Sequence, residues 1–263
     1  MKRRIVAGFD IEGKFYPLNR FSYITSSSKL DLDELLYLMA ILSSTTLNFF
    51  HANTFIDYDI KPTYLKKLPI RRIYFTTPAP ERARLSTELQ QLYAQGNFAE
   101  ILAQVETCLP KDAAGNFIAE QERSDVVHDL LAFLAERMLE MNKQKQQEIK
   151  GFLGWLEGFV GAKVEDLTPK TKLQSYYEHD YEGFLAVLKK NRKKLAIDPA
   201  RREPGVVLKA EFEGSVGKLA PLREQIRLTD GLIDAVVYRL YGLTEEEIGI
   251  VEGEAHQDGM SQS

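Results

Sequence analysis

From Ser124 to about Val160 the apolar residues return at helical spacing over the longest such stretch in the chain. The seam runs Leu131, Leu134, Met138 and Met141, then passes Lys145 to Ile149, Phe152, Leu156 and Phe159. Two successive four-residue steps around Lys145 break a heptad rhythm on both sides, as a stutter does. A long helix with one apolar stripe has to bury it lengthwise against a partner. The matching stripe lies near the C-terminus, where Leu219, Leu222, Ile226, Thr229, Ile233, Val236 and Leu240 alternate three- and four-residue steps. An antiparallel pair, Val126 to Val160 against Leu219 to Leu240, is therefore expected. Gly214, Gly217 and Pro221 predict a break or kink near the proline.

The segments around this pair are shorter. Residues 3–9, "RRIVAGF", and 14–24, "KFYPLNRFSYI", flank the turn sequence "DIEG" and predict a hairpin, with Pro17 at an edge or bulge. A single helix is expected from about Asp31 to Phe50, then "IYF" (73–75) as a short extended piece. Residues 1–77 thus read as a small α/β unit. Beyond Thr77 the pattern is helical: Thr77 as cap, Pro78 at the first position and Gly96 as the stop of one helix, then a second from about Phe98 to Cys108. The loop "LPKDAAGNF" precedes the long helix, and a shorter helix from Glu178 to Leu195 leads to the loop "IDPARREPG". The fold class is mostly α with a small α/β N-terminal part. The boundaries are 1–77, a helical spacer domain over 78–253, and a disordered tail over 254–263.

Composition narrows the function classes. The chain has 263 residues, 44% hydrophobic and 27% charged, ordinary for a folded soluble protein. One cysteine, Cys108, excludes an intrachain disulfide and any cysteine-rich zinc cluster, and a reducing cytoplasm suits it. The basic N-terminus meets Asp10 and Glu12 before any signal-like apolar stretch, and no membrane partner is expected. Net charge is −4, yet the six acids after Gly242 stand without Lys or Arg and leave +2 on residues 1–241.

No catalytic constellation emerges. "HD" at 128–129 is half of a metal phosphohydrolase motif, but the further His and Asp ligands are missing; periodicity puts His128 beside a core face, and a helix-surface histidine is the simpler reading. "EIK" at 148–150 sits inside the long helix, whereas nuclease sites of that type are carried on a strand. There is no glycine-rich phosphate loop, no Gly-x-Ser-x-Gly elbow and no Asn-Pro-Pro-Tyr type of motif for holding a base beside S-adenosylmethionine. No catalytic or metal-ligating residue is assigned.

Two basic stretches stand out instead. In "FIDYDIKPTYLKKLPIRRI" (55–73) Lys61, Lys66, Lys67, Arg71 and Arg72 accompany Tyr58 and Tyr64; in "LKKNRKKL" (188–195) Lys189, Lys190, Arg192, Lys193 and Lys194 are followed by Arg201 and Arg202. Such side chains neutralise phosphates and release counterions, giving affinity that does not depend on sequence. The plainer alternatives are a connector anchored by Leu65, Leu68 and Ile70, and a solvated helix end whose cations suit the helix dipole.

"LLYLMAILSSTTLNFFHANTFIDYDIKPTYLKKLPIRRI" resembles the end of the target-recognition domain in TaqI-like specificity regions, with "LSSTTLNFF" where that family usually reads Leu-Asn-Ser-Lys. "LIDAVVYRLYGLTEEEIGIVEG" (232–253) is similar to the closing segment of the same large proteins, type IIG restriction-modification enzymes and adenine-specific DNA methyltransferases. The resemblance implies a truncated target-recognition domain followed by long antiparallel spacer helices, the C-terminal piece of a split or truncated gene. Its partners would be double-stranded DNA and a methyltransferase or endonuclease domain or subunit. S-adenosylmethionine would belong to the parent family and no cofactor to this chain. DNA contacts are expected at Lys61, Tyr64, Lys66, Lys67, Arg71, Arg72, Lys189, Lys190, Arg192, Lys193 and Lys194. The competing expectation is a helical scaffold that docks on a methyltransferase without touching DNA.

Overall fold

The computed structural model describes residue 5, residues 31–55 and residues 61–260, the last seven by backbone alone. Apart from Ile5, the expected hairpin lies outside these residues, as does Tyr58. In chain order the helices are α1 (Leu32–Ser43), α2 (Thr45–Thr54), α3 (Pro62–Leu65), α4 (Ala79–Gln95), α5 (Phe98–Cys108), α6 (Ser124–Val160), α7 (Lys170–Gln174), α8 (Tyr181–Lys190), α9 (Arg202–Tyr241) and α10 (Glu245–Met260). The protein is mostly helical, and no strand occurs among the described residues. It divides into two units, residues 1–137 with 229–263, and residues 138–228. The chain leaves the first unit within α6 and re-enters it within α9, whereas the sequence reading draws its line at residue 77.

The single helix expected over 31–50 is two. Asp31 opens α1 with a full capping box to Glu34. Ser44 then takes an extended conformation, and α2 departs at 60° from α1. Its hydroxyl donates to the Ile41 carbonyl at 2.7 Å and accepts from the Leu47 N–H at 3.4 Å, so one side chain serves both helix ends. Asn48, buried in α2, donates to the carbonyls of Ser44 (2.8 Å) and Ser43 (3.2 Å), and its Oδ1 accepts from the Ile5 N–H at 2.5 Å. The Ser43 carbonyl, freed by the bend, thereby finds a partner, whereas that of Ser44 also accepts the Asn48 N–H.

In the first unit, Leu89 of α4, Ile101 and Val105 of α5, Val127, Leu131 and Leu134 of α6, and Val236 and Leu240 of α9 are almost wholly excluded from solvent. Each such side chain contributes about 1.5–3 kcal/mol relative to exposure. Tyr93 fixes the direction of α6 against α9: its hydroxyl meets that of Thr229 at 2.8 Å while its ring meets Phe133 edge-on at 5.4 Å. At the other end, Arg71 joins Glu122, just before α6, to the Leu240 carbonyl. The two helices run antiparallel here.

The second unit is built on aromatic rings. Phe152 of α6 lies 4.1 Å from Tyr176, 5.8 Å from Phe184 of α8 and 6.3 Å from Phe212 of α9, and the buried Tyr176 hydroxyl meets Ser215 at 2.6 Å. Glu148 pairs with Lys218 at 3.4 Å. As numbers fall along α6 they rise along α9, so the pairing is antiparallel in this unit too. Of the break or kink expected at Pro221, the break is absent: α9 begins at Arg202, where a loop was expected, and stays helical to Tyr241. Pro221 is exposed, so its lost hydrogen bond falls on the wet face while Leu219 and Phe212 hold the packed one. The helix expected over 178–195 is shorter, with α8 ending at Lys190 and a 3-10 turn over Arg192–Lys194.

Candidate nucleic-acid interface

The first basic stretch separates into anchors and free cations. Phe55 ends α2, and Tyr64 of the one-turn α3 stacks on it at 4.4 Å and 17°. Lys61 is exposed beside that pair, its Nζ 5.6 Å from the Tyr64 ring centre. Leu68 is buried, which turns Lys66 and Lys67 outward. Arg71 is spent internally: its guanidinium bonds the Leu240 carbonyl, pairs with Glu122 at 2.7 Å and lies 4.3 Å from the Phe117 ring centre. Its backbone is held as well, because the Tyr241 hydroxyl accepts from the Arg71 N–H and donates to the Pro69 carbonyl at 2.7 Å. Burial raises the Tyr241 phenol, opposed by that N–H and by the Arg71 charge. Arg72 is exposed, 5.2 Å from the Tyr74 ring centre. Lys66, Lys67 and Arg72 are thus the cations of this stretch that face solvent unpaired among the described residues.

The second stretch belongs to the other unit. Lys189 and Lys190 end α8, and Arg192, Lys193 and Lys194 form the 3-10 turn after it; all five are exposed. Arg192 pairs with Asp198 at 2.9 Å and Lys194 donates to the Asp166 carbonyl at 2.6 Å. Lys189, Lys190 and Lys193 have no carboxylate partner among the described residues.

Sequence reasoning missed the polar interior of the first unit. Thr77 caps nothing: its N–H and hydroxyl donate to the fully buried Asp125 at 2.8 and 2.6 Å, and Pro78 occupies the cap position of α4. His128 is buried, not on a helix surface, packed between Tyr37 at 4.7 Å and the Phe75 edge at 5.1 Å. Its Nδ1 meets Asp129 at 3.1 Å, and Arg82 grips the same carboxylate at 2.6 and 2.5 Å. Burial pushes Asp129 upward, but the hydrogen bonds from His128 and Arg82 and the Arg82 charge outweigh it and hold the carboxyl low. Among the described residues no group of His, Cys, Asp and Glu could hold a metal ion. Cys108 is buried, its thiol pushed up to about 11 chiefly by that burial, which makes it a poor nucleophile. No single described helix is long and apolar enough to cross a membrane.

One family, described as Domain of unknown function (DUF8810), matches residues 125–237. That span takes in the whole second unit and the adjoining parts of α6 and α9. No curated protein and no solved structure matches the chain.

Proposed function

We propose that this chain is the DNA-binding specificity portion of a restriction-modification adenine-specific DNA methyltransferase. The observation that carries the reading is that its two family-like segments, distant in sequence, pack on each other within one unit. Thr45 gives its N–H and hydroxyl to the two carboxylate oxygens of Asp234 at 2.7 and 2.5 Å, Tyr241 holds Pro69 and Arg71, and α10 lies against α2 with Val251 buried. In this reading the anchored stretch presents Lys66, Lys67 and Arg72 to the phosphate backbone, and the catalytic parts belong to a partner domain or subunit.

Fluorescence anisotropy of a labelled duplex across a salt series tests it. Replacing Lys66, Lys67 and Arg72 together by serine should weaken binding on all duplexes alike and flatten log affinity against log salt by roughly 2.7 units, at about 0.9 per lost contact. Arg71 is left intact because its loss would disturb the fold. A parent chain that binds no duplex even at low salt would favour the scaffold that docks on a methyltransferase.

A further inference from the structure

We propose that the turn after α8 is a rigid phosphate clamp for duplex DNA, an inference that rests on the DNA-binding reading above. Charge points to this unit. Residues 138–228 hold 17 Lys and Arg against 13 Asp and Glu, a net +4, so the remainder of the chain carries −8. The net charge of the second unit attracts a duplex, and most of the −8 elsewhere is the six acids after Gly242.

The turn is also fixed in place, which a merely solvated helix end is not. Asn191, buried at its centre, accepts from the Thr168 N–H at 3.0 Å and donates to the carbonyls of Thr168 and Val187, both at 2.8 Å. Beyond it, the Ala196 N–H donates to the Val160 carbonyl at 2.8 Å. Gly161 sits in the left-handed region at φ 69°, where a Cβ would fall 2.6 Å from that of Ala196, so the two strands of chain meet as closely as glycine allows. Arg192 and Lys194 are occupied with Asp198 and the Asp166 carbonyl. Of the cations on α8 and its turn, Lys189, Lys190 and Lys193 remain, exposed and without a carboxylate partner among the described residues, on a backbone that need not be ordered on binding. Of the neighbouring lysines, Lys163 and Lys170 pair with Glu157 at 2.8 Å and Glu165 at 2.6 Å, while Lys172 of α7 is exposed without a carboxylate partner among the described residues. Holding the lysines on a pre-ordered backbone spares the entropy of fixing the loop and leaves counterion release as the driving force.

The test uses the full chain and a labelled duplex in the same anisotropy salt series. Lys189→Ser, Lys190→Ser and Lys193→Ser combined should reduce the salt slope by roughly 2.7 units, on top of any loss from Lys66, Lys67 and Arg72. Arginine at the same three positions should keep the parental slope. Because the three lysines are exposed, the melting temperature should be unchanged in the arginine variant and fall only slightly in the serine variant, which loses the helix-dipole contribution of Lys189 and Lys190. Parental slope retained in the serine variant overturns the clamp and leaves the DNA-binding reading intact; loss of slope in the arginine variant overturns it too. Absence of duplex binding by the parent chain overturns both.

Discussion

Arg71 and Arg72 adjoin in sequence and differ in everything around them. The first ends on a carbonyl, a carboxylate and a ring face; the second lies along an exposed tyrosine. Arg71→Ala should therefore lower stability by about 2 kcal/mol, the usual scale for hydrogen bonds to a charged group. Chemical denaturation would measure that loss, and the salt slope of any DNA binding should stay as it is. Asp129 supplies a pH test. Its carboxyl is held below its ordinary value of 3.8 in the folded chain, so the stability it contributes is complete above that value and is lost as pH falls through the lower folded one. Denaturation midpoints at a series of pH values should show a shallower acid limb below about pH 4 in Asp129→Asn, on top of a lower plateau at neutral pH. An unchanged acid limb would mean that other carboxylates govern it.

Helices α5 and α6 were legible because an apolar period and a start or stop signal agreed over the same residues. The bend between α1 and α2 was not, since the apolar spacing carries on through Ser44 and the helix is stopped by side-chain hydrogen bonds, the Ser44 hydroxyl shared between two helix ends and the Asn48 amide on the carbonyls beside it. At Pro221 local chemistry argued for a break or a kink, and the helix runs through it unbroken because packing on either side prevailed. Pro221→Ala should accordingly stabilise the chain, by up to about 3 kcal/mol, the penalty of an interior proline. The seam was legible in kind but not in depth. Ile233 is 5% exposed whereas Met138 is only half-buried, so Ile233→Asp should cost several kcal/mol and Met138→Asp distinctly less. Equal shifts in melting temperature would refute that ordering. Of the candidate site, the positions of the cations could be read from sequence, but their partners could not. Whether a guanidinium meets Glu122 or water depends on contacts made across the fold, and no local spacing records them.

At the scale of the whole molecule, the two basic stretches sit in units of opposite net charge, and among the described residues no metal-binding cluster accompanies either. A methyl transfer to DNA needs a pocket that holds S-adenosylmethionine and a motif that holds the flipped base against its methyl group. The sequence has neither the glycine-rich loop nor the Asn-Pro-Pro-Tyr type of motif. The polar cluster of the first unit is consumed by its own contacts: Asp129 by Arg82 and His128, Asp125 by Thr77. The chain by itself should therefore neither bind S-adenosylmethionine nor methylate a duplex. Titration calorimetry with the cofactor should show no heat beyond dilution, and a radiolabelled transfer assay should show no incorporation on DNA that the chain binds. Adding the methyltransferase partner that the proposed function requires should restore incorporation, and the serine variant at Lys66, Lys67 and Arg72 should lower it at high salt more than at low. Micromolar cofactor binding by the isolated chain would sink this division of labour, because a resident cofactor site places chemistry in a chain assigned only to recognition.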